Sequence, residues 1–247
     1  MRIGVYVPTR GRVWWETAAR LPGFFQEADS EDDTLTLEYV WNVNGVVHAR
    51  NMILERFLAS DAEVLVMCDD DVVAPPYALS LLLEGLDEFG IVGAPCPLMI
   101  PGSVMLPNVY SWDQARGLLS IAVEQAQEPG LIDVSAIGFG LVAVRRDVCA
   151  KLRKFKVRAD GLRVTMGEDV DFCLRARSQG FRVGGQMDLA CEHVMTVHGN
   201  RAAIAYGGLI SVMTDQLDRF GAVMDEEKED GIATEVQASA GDVDPRP

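Results

Sequence analysis

Four short apolar runs alternate with helical periodicities through the first 95 residues, which restricts the chain to a parallel sheet clad in helices. Residues 2–8 read as a first strand. A helix begins near Arg12 and runs to about Ala19, before Pro22-Gly23 breaks it. Leu35 to Trp41 is β-rich, and Val46 to Ala59 carries apolar residues at 46, 47, 53, 54, 57 and 58, a helical spacing. Val64 to Cys68 reads as a buried strand. Pro75-Pro76 opens a helix to about Phe89, and Ile91 to Ala94 forms another strand.

The second half changes character. Residues 97–135 are rich in Pro, Gly, Asn and Ser, which predicts loops and hairpins. Ile137 to Val144 predicts a strand entered through two glycines, and Arg146 to Leu152 a short helix. Gly167-Glu168-Asp169 opens a helix to about Ser178, ended by Gly180. Phe181 to Val183 and Leu189 to Cys191 read as strands, and 201–220 as a last helix. No linker separates the halves, so residues 1–224 are expected to form one domain, with a nucleotide-binding half to 95 and a site-completing half from 96. Residues 225–247 hold eight acids against two bases and no sustained periodicity, the composition of a disordered acidic tail.

Three consecutive aspartates, Asp69-Asp70-Asp71, stand directly behind the Val64–Cys68 run. Three like charges at one strand end repel one another unless a cation neutralises them, and carboxylate oxygens suit a hard divalent ion. Alternate side chains of a strand share a face, so Asp69 and Asp71 can reach one ion together. Ligands of open parallel sheets bind beyond the carboxyl ends of the strands. There the first strand is followed by Pro8-Thr9-Arg10-Gly11-Arg12, which offers a hydroxyl, two guanidinium groups and a glycine. Arg50-Asn51 lies in the second helix, with Arg50 placed to reach the nucleotide side of the cleft. A carboxylate held at the helix start Glu168-Asp169 is a rigid place for a general base, although the helix dipole alone also favours acids there. A histidine at a strand end would complete the metal site, and His193 is favoured over His198.

The formal net charge of −15 disfavours binding to nucleic acid without excluding it. Five scattered cysteines with no CxxC pair read as reduced thiols. With no apolar segment of 18 residues and no signal peptide, the expected location is the cytoplasm.

Taken in order, these elements resemble the nucleotide-sugar-dependent glycosyltransferases of the GT-A fold, particularly the large family 2 group. The matching pieces are Val5 to Arg12, Ala49-Arg50-Asn51, Val64 to Asp71 as a strand-plus-DxD element, Gly138-Phe139-Gly140, Arg145-Arg146-Asp147 and Gly167 to Arg177. DxD alone is a weak signal. Followed about 100 residues later by the Glu168-Asp169 helix with its Phe-Cys-x-Arg continuation, it is a strong one.

The resemblance implies an α/β GT-A architecture, Rossmann-like in its first half, with a mixed, mainly parallel central sheet flanked by helices. It implies a donor site built from Pro8, Thr9, Arg10, Arg12, Arg50, Asn51, Asp69 and Asp70. Gly138-Phe139-Gly140 would line the sugar pocket, and Arg201 would pair with the diphosphate. Asp69, Asp71 and His193 would hold Mn²⁺ or Mg²⁺, and Asp169, with Glu168, would supply the catalytic carboxylate. The donor would be a UDP- or GDP-linked sugar and the acceptor hydroxyl is unidentified. Inverting and retaining outcomes both remain open. Two other readings compete: a sugar nucleotidyltransferase, which usually needs a glycine-rich first loop and a lysine, and a catalytically inactive binding protein of the same fold. No lysine precedes Lys151, and the intact acidic motifs argue against inactivity.

Overall fold

A computed structural model describes residues 1–11, 13–27, 34–41, 45–100, 104–113, 118–122, 125–160, 163–189, 191–197 and 200–205. In chain order the first half contains β1 (Arg2–Thr9), α1 (Trp15–Glu27), β2 (Thr34–Trp41), α2 (Val46–Ala59), β3 (Val64–Cys68), β4 (Val72–Val73), α3 (Ala78–Gly85) and β5 (Ile91–Gly93). Two hairpin pairs follow, β6 (Pro97–Ile100) with β7 (Val104–Pro107), and β8 (Val109–Asp113) with β9 (Leu118–Ile121). Then come β10 (Leu131–Asp133), β11 (Ala136–Ile137), β12 (Leu141–Arg145), α4 (Arg146–Leu152), β13 (Arg158–Asp160), β14 (Arg163–Met166) and α5 (Glu168–Ser178). The last described strands are β15 (Val183–Gln186), β16 (Glu192–Val197) and β17 (Asn200–Ala205).

The central sheet has seven strands in the order β10-β15-β5-β12-β3-β1-β2. β2, β1 and β3 pair in parallel, as do β5 and β15. β12 inserts antiparallel between β3 and β5, so these two central-sheet strands of the first half are not neighbours. Side chains alternate between two cores. On β3, Leu65 and Met67 join α2 residues Ile53, Leu54 and Phe57 in one core. Val64, Val66 and Cys68 join α3 residues Ala78, Leu79 and Leu82 in the other. The strand repeat of two and the apolar helix stripes thus give a helix–sheet–helix sandwich.

Several expectations are corrected. α1 runs through Pro22 to Glu27, because burial of Leu21 and the approach of Gly23 to Pro76 (a Cβ on the glycine would lie 3.6 Å from it) hold it against the lost backbone bond. α3 starts at Ala78, whose N–H donates to the Pro75 carbonyl at 3.0 Å, and ends at Gly85. The expected strand 137–144 is two strands. β11 pairs with β8, residues 138–140 turn, and β12 enters the central sheet. Residues 181–182 and 189 lie outside strands, and 200–205 is a strand paired with β16, not the start of a helix. The domain limit at 224 and the acidic tail lie outside the described residues.

Two packing devices support the site. The Arg146 guanidinium donates to the carbonyls of Phe57, Leu58, Ser60 and Ala62, capping the exit of α2. Within α5, Asp171 is buried and accepts from Arg158 Nε at 2.7 Å and Arg175 Nε at 2.6 Å, which hold its carboxyl below the usual range against the opposing effect of burial. Asp171→Asn is expected to lower stability by about 2 kcal/mol at neutral pH. Because the folded-state pKa is depressed, that stabilisation is present above the ordinary carboxylate pKa and lost as pH falls through the folded value. The wild type and Asp171→Asn should therefore converge in unfolding midpoint at acid pH. A constant gap down to the acid limit would show that the ion pairs contribute nothing.

Candidate functional site

The carboxyl ends of β1 and β3 meet at one edge of the sheet. A cleft of about 370 Å³ opens there, lined by Pro8, Thr9, Arg10, Trp14, Val46 and Ala49 with all three aspartates. Gly11 has φ +109°, and its N–H donates to Thr9 Oγ1 at 3.1 Å, so the β1 exit turns sharply beside Trp41. Burial pushes the Asp70 carboxyl up, opposed by a hydrogen bond from the Thr9 hydroxyl. The Asp70 carbonyl accepts the Trp14 N–H at 3.0 Å, which pins the loop after β1 to the aspartate turn.

A second cleft of about 140 Å³ adjoins it, with Arg50, Asp69, Asn108, Tyr110, Asp169 and His193 among its lining residues. Asp69 lines both. Its carboxyl is pushed up to about 6 by burial and by the charges of Asp71 and Asp70, with Arg50 pulling the other way. Arg50 is buried and joins the clefts from beneath. Nη2 reaches Asp69 Oδ1 and Oδ2 at 3.3 and 3.2 Å and the Phe139 carbonyl at 3.3 Å, while Nη1 donates to Glu168 Oε1 at 2.5 Å. Burial opposes the charge of Arg50, but Asp69, Glu168 and Asp169 outweigh it and raise its pKa.

The Glu168-Asp169 pair divides by direction. Glu168 is buried against Arg50, so it positions rather than faces the cleft, whereas Asp169 lines the second cleft. Asp169 Oδ1 accepts the Val170 N–H at 2.7 Å, and a Cβ on Gly167 would lie 2.8 Å from that oxygen, so the glycine leaves room for the carboxylate. Tyr110 lines the same cleft; burial first, and then the charge of Asp169, push its hydroxyl up to about 12.

β16 pairs with β4 so that His193 lies opposite Val72, which brings its ring to Asp71. His193 Nε2 is 3.2 Å from Asp71 Oδ2, and its Nδ1 is 2.8 Å from the Pro97 carbonyl. Burial would lower the imidazole pKa, but the hydrogen bond and charge of Asp71, with the Pro97 carbonyl, raise it to about 9. Among the described residues no three His, Cys, Asp or Glu side chains converge as a ready metal cage. The donor set nevertheless suits a divalent ion. The Pro97 carbonyl orients Nδ1–H, which leaves Nε2 directed at Asp71, the orientation that ligating imidazoles usually receive from a backbone carbonyl.

Other expected residues are placed differently. Asn51 faces away from both clefts, donating to the Phe155 carbonyl at 3.1 Å and accepting its N–H at 2.8 Å. Phe139 lines the second cleft, but its ring is buried edge-on against Phe155 and Phe172. Gly138 is small for a packing reason, since a Cβ there would lie 2.3 Å from Asn108 Nδ2, and one on Gly140 would lie 3.0 Å from Cys96 Sγ. Arg201 sits on β17 opposite Thr196. Arg12 and His198 lie outside the described residues. Trp14, Asn108 and Tyr110 were not anticipated. The composition of residues 97–135 predicts only loops and hairpins, and the face Tyr110 presents depends on the pairing of β8 with β9 and β11.

Residues 9–206 match the family described as Glycosyltransferase like family 2. The chain belongs to that family. No curated protein sequence matches it. Among solved structures, this family 2 glycosyltransferase is similar to A197 from STIV, with TM-score 0.54, 18% identity and coverage of 83% of this chain and 94% of that one. It is also similar to GalNAc-T7, solved with UDP, GalNAc and Mn²⁺, with TM-score 0.54 and 12% identity over 80% of this chain and 44% of that one. The family 2 chain therefore spans less than half of GalNAc-T7, and these likenesses establish a shared GT-A fold. No helix among the described residues is long and apolar enough to cross a membrane.

Proposed function

We propose that the protein transfers a glycosyl group from a UDP- or GDP-linked sugar to an acceptor hydroxyl. The observation that carries this reading is the place of Asp69, shared between a cleft with the β1 loop and a cleft with Asp169. The first cleft is within the about 300–1,000 Å³ typical of small-molecule sites. It takes the nucleotide, with Thr9 and Arg10 at its wall and Asp70 toward the ribose. The second takes the sugar and the acceptor oxygen. A divalent cation, Mn²⁺ or Mg²⁺, would be held by Asp71 and His193 with Asp69 beside them, and would neutralise charge on the diphosphate. GalNAc-T7, which shares the fold, was solved with UDP and Mn²⁺.

In the transfer, the acceptor oxygen bonds to the anomeric carbon while the carbon–oxygen bond to the diphosphate breaks and its electron pair stays with the diphosphate. Asp169 takes the acceptor proton, the role of a general base in an inverting transfer. Tyr110 and Asn108 border the same space and orient the sugar. Tyr110→Phe is expected to reduce transfer about tenfold, the worth of one hydrogen bond near an ionised group, with nucleotide affinity unchanged. Equal transfer by Tyr110→Phe and wild type would remove the hydroxyl from the site.

Incubation with a panel of nucleotide sugars and Mn²⁺ tests the activity through release of nucleoside diphosphate. Release of pyrophosphate in a parallel incubation with a nucleoside triphosphate and a sugar 1-phosphate would instead assign a nucleotidyltransferase. Absence of both turnover and metal-dependent nucleotide binding would assign a binding protein.

A further inference from the structure

The chain is acidic overall, yet five of the eight residues 151–158 are basic: Lys151, Arg153, Lys154, Lys156 and Arg158. All five are exposed. Three of the chain's four lysines fall in this stretch. Arg158 is neutralised by Asp171, but Lys151, Arg153, Lys154 and Lys156 form no ion pair among the described residues. A charged run is ordinarily a solvated face. This one is held in a defined shape. Arg153, in the left-handed region at φ 57°, ends α4. Phe155 is then driven inward, stacked on Phe172 with ring centroids 4.3 Å apart, and both its backbone groups are clipped by Asn51. Arg175 Nη2 holds the Lys154 carbonyl at 2.6 Å. Phe155 is buried while Lys154 and Lys156 on either side of it are exposed.

We propose that residues 151–158 form a rigid basic strap that docks the phosphodiester backbone of a nucleic acid. Exposed cations carried by one anchored segment can track a line of phosphates, where a clustered pair would grip a single one. A groove of about 480 Å³ beside the strap, lined by His48, Asn51, Glu55, Leu58, Arg153 and Lys154, offers a bed with one acidic wall. A lipid surface fits less well, because bilayer docking needs apolar anchors and Val157 is the exposed large apolar side chain of the strap. The strap leads through β13 and β14 to Asp169, with Arg158 paired to Met166. Docking stands on this charge and geometry alone. That the docked polymer bears the acceptor hydroxyl rests on the transfer reading above.

Fluorescence anisotropy of the full chain with labelled single-stranded and duplex DNA oligonucleotides tests the strap. Binding is expected to weaken between about 50 and about 200 mM salt, with a log–log slope near −3 for a single strand if four phosphates are contacted. Lys151→Glu, Arg153→Glu, Lys154→Glu and Lys156→Glu together should lower affinity at least about tenfold and flatten the slope. Nucleoside diphosphate release from a donor sugar should be unchanged. The milder pair Lys154→Gln and Lys156→Gln should remove about half the slope and guards against misfolding of the first variant. No oligonucleotide binding at low salt, or undiminished binding in both variants, overturns the proposal. So does capture by phosphatidylglycerol vesicles, through these residues, of a protein that ignores DNA. Oligonucleotide binding with no donor turnover would sink the transfer reading and leave the strap standing.

Discussion

Asp169→Asn is expected to bind nucleotide and metal as the wild type does, yet to lose transfer by about 10²–10⁴-fold, the usual contribution of a general base. The substitution suits the question because it is nearly isosteric. Its amide oxygen can still accept the Val170 N–H that Asp169 Oδ1 accepts, and Gly167 still leaves it room. Asp169 also contributes to the field on Tyr110, so the tyrosine hydroxyl should titrate lower in the variant, a spectroscopic sign that the charge has gone. Asp71→Ala provides the contrast. It deprives His193 Nε2 of its partner and should abolish metal-dependent donor binding itself. Undiminished transfer by Asp169→Asn, measured with saturating donor, would show that another group takes the acceptor proton.

The elements with clear internal periodicity were legible in the sequence. α2, β3 and α4 lie where the apolar spacing put them, because each buries a face whose repeat is local. Non-local facts were not legible. Nothing in residues 64–94 shows that β12 will insert between β3 and β5, and nothing in Gly138 reveals that Asn108 is what crowds it. The acidic pair illustrates the same limit at the site. Adjacent helical residues point about 100° apart, so only one of Glu168 and Asp169 can face the cleft. Which one depends on Arg50, 118 residues from Glu168 in the chain. Asn51 shows the reverse case. Its neighbour Arg50 turns toward the clefts and it turns away, to hold Phe155.

Arg50→Met should cost stability on the scale of a broken buried ion pair, about 3–5 kcal/mol, or roughly 6–20 °C in unfolding midpoint for a chain of this size. The reason is what remains. The side chain of Glu168 is 11% exposed and that of Asp69 27%, so removal of one cation leaves two carboxylates in poorly solvated surroundings. Glu168 is the more deeply enclosed and should account for the larger share, since solvent screens Asp69. Arg50→Lys should recover only part of the loss, because a single ammonium cannot reproduce a fork that reaches Asp69, Glu168 and the Phe139 carbonyl together. Adding Glu168→Gln to Arg50→Met should restore part of the stability by deleting the stranded charge. It should not restore the geometry of Asp69, which would still lack its partner at the junction of the two clefts. Thermal unfolding of the three variants separates these effects. If Arg50→Met melts with the wild type, the network beneath the clefts carries no stability. If the double variant is no more stable than Arg50→Met, the stranded Glu168 charge is not the cause of the loss.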